Sequence, residues 1–142
     1  MRHYIVPKDF VDKELFRWSV YYREFDYPLY ELFERSNDRV EHHPWIAITP
    51  LRYAKLTPQI YKLEEKEDFV KIELVDGNVV EIYCPILRKV LKTALECKNY
   101  HEIESKLKNY MRIHFGEFCI SACAWLISYL IGLEVLDIDY LL

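Results

Sequence analysis

The sequence predicts one α+β domain over residues 1–142, on three observations. A 51% hydrophobic and 30% charged composition with 3 Gly and 6 Pro is that of one globular unit without long linkers. Residues 69–83 alternate apolar and polar side chains on both sides of an Asp-Gly turn. Helical apolar periods flank that segment on each side. The architecture expected is N-terminal helices, a central β-hairpin extended to a small antiparallel sheet, and C-terminal helices packed on it.

Pro7 suits a first helical turn, where its missing N–H would be unpaired anyway. From it Val11, Leu15, Trp18, Tyr22 and Phe25 recur at steps of four and three, with Phe10 and Tyr21 beside them. This stripe predicts an amphipathic helix, ended by Tyr27-Pro28 because the residue before proline is pushed out of the α region. Pro28 opens a shorter helix to about Arg35, closed by Ser36-Asn37-Asp38. Trp45–Ile48 and Arg52–Leu56 are the next two strand candidates.

The hairpin is the sharpest local signal. Val70-Lys71-Ile72-Glu73-Leu74 and Val79-Val80-Glu81-Ile82-Tyr83 flank Val75-Asp76-Gly77-Asn78, whose Asp-Gly predicts a tight primed turn. A lone hairpin is barely stable in water, so a further strand is required, from the segments before it or from Val135–Tyr140. Pro85 then starts a helix to about Cys97, with Leu87, Val90, Leu91, Ala94 and Leu95 on one face. A second helical period runs from Glu102 through Ile103, Leu107, Tyr110, Met111, His114 and Phe118. Gly116 kinks or breaks the chain before an apolar helix, Glu117–Ile131, and Gly132 is placed to cap it. The strand-to-helix order over residues 69–97 resembles the hairpin that opens BTB-type adaptor domains. It carries no diagnostic motif, and no expectation is taken from it.

Composition narrows the function classes. One Gln and four Asn stand against 23 Asp+Glu and 19 Lys+Arg, a trend of heat-adapted proteins. The net charge of −4 excludes a uniformly basic nucleic-acid binder, yet residues 88–112 hold seven basic and three acidic side chains. The first nine residues lack the apolar stretch of a secretory signal, and the longest uncharged run, Phe118 to Leu133, is 16 residues against the ~20 of a spanning helix. A cytoplasmic protein with no membrane association is expected. Its four cysteines are expected as thiols, with a Cys84–Cys97 bridge left open by the heat-adapted composition.

Three candidate sites remain. Cys119 and Cys123 share a helix face with His114 and Glu117 just upstream, the residue types of a thiol or metal site. No Cys-x-x-Cys knuckle accompanies them, and core packing is the favoured role. His42, His43 and Trp45 form a loop candidate, with solvated histidines as the simpler reading. Arg88, Lys89, Lys92, Lys106, Lys108 and Arg112, with Tyr100 and Tyr110 interleaved, form a nucleic-acid-binding candidate. The plainer account is two solvated helix faces held by Glu102–Lys106 and Glu104–Lys108 pairs. Trp125, Tyr129, Leu130 and Leu133 on the apolar helix are the interface candidates, unless that helix runs through the core.

No catalytic residue, metal site or cofactor is expected. The leading expectation is a non-catalytic interaction protein, a subunit or adaptor with a protein partner or self-association. An accessory nucleic-acid binder using residues 88–112 comes second, and a thiol or metal enzyme around Cys119 and Cys123 third.

Overall fold

A computed structural model of the chain describes residues 2–11 and 54–140. Most of the helix expected from Pro7, the helix after Pro28, the Trp45–Ile48 strand and the His42-His43 loop lie outside the described residues. Of the first of these, Pro7 to Val11 form only a turn, in which the Phe10 N–H donates to the Pro7 carbonyl at 3.1 Å.

The described elements run β1 (His3–Val6), β2 (Ala54–Pro58), β3 (Ile60–Glu65), β4 (Val70–Leu74), β5 (Val79–Ile82), α1 (Pro85–Glu96), α2 (Tyr100–Phe115), α3 (Cys119–Gly132) and β6 (Leu136–Tyr140). They form an α+β domain with a four-stranded sheet in the order β1-β5-β4-β3 and a two-stranded sheet of β2 and β6. The expected hairpin is β4–β5, with Ile72 opposite Val80 and Lys71 opposite Glu81. Its turn differs from the one expected. Leu74 donates to the Asn78 carbonyl at 2.8 Å and accepts from Gly77 at 3.0 Å, so the loop holds three residues. Gly77 alone is left-handed there, at φ 92°, and Asp76 keeps a negative φ. A two-residue primed turn of the Asp-Gly type needs both, which costs Asp76 more than a third loop residue does. The Asp76 carboxylate accepts from the Asn78 N–H at 2.9 Å and closes the loop.

The extra strands came from places the sequence left weakly marked. β3 pairs antiparallel with β4, while β1 adds to β5 in parallel, so the sheet is mixed. The C-terminal strand does not join the hairpin. β6 pairs with β2, whose range overlaps the Arg52–Leu56 candidate. Gln59 is the corner between the two sheets: its N–H donates to Val135 at 2.8 Å and its carbonyl accepts from Val75 at 3.1 Å.

Period-two alternation decides which face of the large sheet is wet. Val6, Val70, Ile72, Leu74, Val80 and Ile82 are buried beneath the helices. The opposite face carries charge in register, Glu81 beside Lys71 and Lys71 beside Glu64. Lys62 and Lys66 bridge to Glu64 at 3.0 and 3.2 Å, which places charge on edge strand β3 and blunts it against stray pairing.

The apolar helix α3 is central. Ala122 through Ile127, Leu130 and Ile131 are all buried, and α2 packs along it. At 14 residues it spans about 21 Å, and no helix among the described residues is long and apolar enough to cross a membrane. Gly132 remains inside the helix rather than capping it. The cap falls at Glu134, whose φ is 65°, with Glu134 donating to Ile131 at 2.9 Å and Val135 to Leu130 at 3.1 Å. These are the two bonds of a Schellman motif, and buried Val135 and Leu130 supply its apolar contact.

A non-glycine residue in the left-handed region costs roughly 1–2 kcal/mol. Glu134→Gly is therefore expected to raise the urea midpoint, with a gain of about 0.5–1 kcal/mol after glycine's greater unfolded-state entropy is counted. An unchanged or lowered midpoint would show that the Glu134 conformation is unstrained.

Candidate functional site

The three helices place the sequence-marked residues in two groups. α1 starts at Pro85 and buries Leu87, Val90, Leu91, Thr93 and Ala94, while Leu95 stays on the surface. Cys84 and Cys97 sit at the two caps of this 12-residue helix. They are separated by some 20 Å of helix, beyond the ~7 Å limit of a disulfide, and all four cysteines are free.

α2 begins two residues earlier than its apolar period implied, because Asn99 caps it. The Asn99 side chain accepts from the Glu102 N–H at 3.0 Å, and the Glu102 carboxylate accepts from the Lys98 N–H at 2.9 Å. Glu102 is thereby committed to the cap and forms no ion pair with Lys106. The buried stripe is Tyr100, Ile103, Leu107 and Met111. Tyr100, which the sequence offers as a stacking ring, is thus 1% exposed in the core.

This helix divides the basic cluster. Lys106 and Lys108 point about 160° apart around α2. Lys106 lies on the side of α1, beside Cys97. Lys89 of α1 reaches over the half-buried Tyr110 ring at 6.0 Å, and the His114 ring packs on the same tyrosine at 4.6 Å. Arg88 is half-buried, with its Nε enclosed and without a hydrogen-bond partner. Lys92 is exposed. Lys108 and Arg112 face the other way, toward α3.

Between α2 and the start of α3 lies a cleft of about 250 Å³. Met111 and Cys123 form its apolar floor and Cys119 and Ile120 one wall. His101, Ser105, Lys108 and Arg112, spaced four, three and four residues apart, form the opposite rim. Ile120 is 51% exposed at the mouth. The chain turns from one wall to the other at Gly116, whose φ of 57° and ψ of −126° suit glycine alone, and a short 3₁₀ turn over Gly116–Phe118 follows.

Burial governs the chemistry of this cleft. The Cys123 thiol is pushed up to about 12, first by desolvation and further by the nearby Glu104 and Cys119, with the Tyr100 hydroxyl opposing the shift. Burial likewise raises the Tyr100 phenol well above its usual value, with Cys123 and Glu104 adding to the shift. Both groups are neutral at physiological pH, so the floor holds a protonated thiol and no nucleophile. Glu104 lines the cleft but aims inward: its Oε2 is enclosed without a hydrogen-bond partner, near the equally enclosed Tyr100 hydroxyl. His114 lies on Tyr110 and takes no part in the cleft. Among the described residues no group of three or more His, Cys, Asp or Glu could hold a metal ion.

The four interface candidates lie within the chain's own core. Trp125, Leu130 and Leu133 are buried and Tyr129 is half-buried. Phe10 stacks on Trp125 at 5.4 Å and 7° and meets Tyr129 at 4.2 Å. Their apolarity serves the central helix, and the accessible apolar wall is Ile120, a residue that no motif in the sequence singles out. The only signal for it was the polar stripe 101–105–108–112 running beside the buried stripe of α2. No protein-family model matches this chain, nor does any curated protein or solved structure.

The raised thiol and phenol dictate a pH dependence. Both ionise more readily in the unfolded chain, near 9 for the thiol and 10 for the phenol, so deprotonation favours unfolding. Their contribution is complete below about pH 9 and is lost as pH rises toward 12. The urea midpoint is expected to fall between pH 8 and pH 10.5, and less steeply in Cys123→Ala. A midpoint equally steep in both proteins would show that Cys123 is not the group responsible.

Proposed function

We propose that this domain is a non-catalytic interaction module, a subunit or adaptor of a cytosolic assembly, that seats an apolar side chain of a protein partner in the cleft between α2 and α3. The supporting observation is the cleft itself: an apolar floor whose Cys123 thiol stays protonated, with a half-exposed Ile120 at its mouth. Its volume of about 250 Å³ falls below the roughly 300–1,000 Å³ of small-molecule and cofactor sites, and suits one large side chain. The nucleic-acid reading draws on the cations of residues 88–112 but finds neither tyrosine free to stack, since Tyr100 is buried and the Tyr110 ring is occupied by Lys89 and His114. A thiol enzyme would need a thiolate that the floor does not supply.

Selection of a random dodecapeptide phage library on the intact protein is expected to enrich peptides sharing one aliphatic or aromatic anchor. Binding should drop at least tenfold in Ile120→Asp, a half-exposed position where the change leaves the melting curve near that of the parent. Enriched peptides that bind Ile120→Asp equally well would refute the cleft as the docking surface. Rapid alkylation of native Cys123 at pH 8 by iodoacetamide would return the thiol-enzyme reading to first place.

A further inference from the structure

We infer that the partner segment seated in the α2–α3 cleft is acidic, with Asp or Glu carboxylates meeting Lys108 and Arg112 on either side of an aliphatic anchor. This rests on the cleft being the docking surface, and it adds the chemistry of what docks there.

Two cations stand without ion-pair partners at the cleft itself; Lys89, Lys92 and Lys106 also form no ion pair among the described residues but lie away from it. The chain carries 23 acidic against 19 basic side chains, so acidic partners are in excess. On the large sheet Lys62 and Lys66 are bridged to Glu64, and Lys71 lies in register between Glu64 and Glu81. Lys108 and Arg112 form no ion pair among the described residues, although both line the cleft. The nearest candidate, Glu104, stands one turn before Lys108, where an i,i+4 pair would ordinarily form. It turns away instead, its Oε2 enclosed toward Tyr100 and Cys123. The rim is thus left with positive charge directly over an apolar floor. A carboxylate arriving on a partner segment finds two exposed donors, one a planar guanidinium suited to bidentate contact.

The same geometry favours a peptide over a nucleic acid. A phosphate backbone would run along a line of cations, but Lys89, Lys92 and Lys106 belong to the α1 side of α2, away from this rim. An unpaired base would need a broad ring to stack on, and the lining offers only the His101 imidazole at the rim, above a floor of Met111 and Cys123. An aliphatic anchor flanked by carboxylates meets both requirements of the site at once. Exposed charge pairs are individually weak and screened by salt, so the acidic flanks act mainly through preference between partners.

The test is fluorescence anisotropy on the full chain with four labelled probes: a nine-residue peptide with a central leucine flanked by aspartates, its serine-centred counterpart, its lysine-flanked counterpart, and a twelve-nucleotide oligouridine. The aspartate–leucine peptide is expected to bind, and the serine-centred one at least tenfold more weakly. The lysine-flanked one should bind more weakly still. The double substitution Lys108→Glu with Arg112→Glu lies at exposed positions, and it should weaken the acidic peptide about tenfold while strengthening the lysine-flanked one. A lysine-flanked or acidic peptide that ignores the double substitution overturns the acid preference, while library peptides sensitive to Ile120→Asp would leave the docking cleft standing. If no probe peptide binds and no library peptide depends on Ile120, both inferences fall together. Oligouridine binding lost in the double variant, with no peptide bound, replaces the acidic segment with a nucleic acid.

Discussion

The burial of α3 is the constraint on which the rest of the fold depends. A 14-residue helix with apolar side chains on nearly every face cannot sit on a surface, and each Leu, Ile or aromatic side chain it hides is worth roughly 1.5–3 kcal/mol. The other elements are arranged as its cover. α2 lies along one side, α1 contacts both helices, β6 returns over it after the Schellman turn, and Phe10 stacks on Trp125 and Tyr129. The cost of this arrangement falls on polar groups drawn in with the helix. The Ser128 hydroxyl, like that of Tyr100, is enclosed without a hydrogen-bond partner.

The cleft follows from the same packing. α2 must supply an apolar stripe to α3, and Tyr100, Ile103, Leu107 and Met111 do so. The polar residues one step around the helix are then held at the seam, where Gly116 and its 3₁₀ turn start α3 far enough away to leave space. Desolvation that stabilises the packing also keeps Cys123 protonated. A thiol in this position packs as a small apolar group, and the site is left with shape and charge in place of reactivity. The exposed side of the large sheet shows the contrast, because there the cations are matched by carboxylates in register.

The parts of this fold legible in the residues were local. The β4–β5 hairpin is marked by strict alternation around Asp76-Gly77, the start of α1 by Pro85, and the break before α3 by Gly116. What escaped was non-local or locally ambiguous. β1 is four residues long and pairs in parallel with a strand more than seventy residues away, so no nearby turn announces it. The charge pairs expected along α2 were displaced by stronger local demands, an N-cap for Glu102 and a buried pocket for Glu104. The apolar residues of α3 were ambiguous between core and interface, because periodicity shows which side chains avoid water without showing what shields them.

By itself the sequence determined the α+β class, the hairpin, the three C-terminal helices and the absence of a recognisable catalytic motif, since alternation, helical period and the conformational limits of Pro and Gly act over a few residues. Tertiary structure alone decided that β6 joins β2, that Tyr100 leaves the surface, that the basic cluster splits across α2, and that Lys108 and Arg112 stand unpaired over an apolar cleft. These outcomes depend on which distant surfaces compete for the same water-free contact. That competition is settled by the burial of the whole chain and leaves no mark on any short stretch of it.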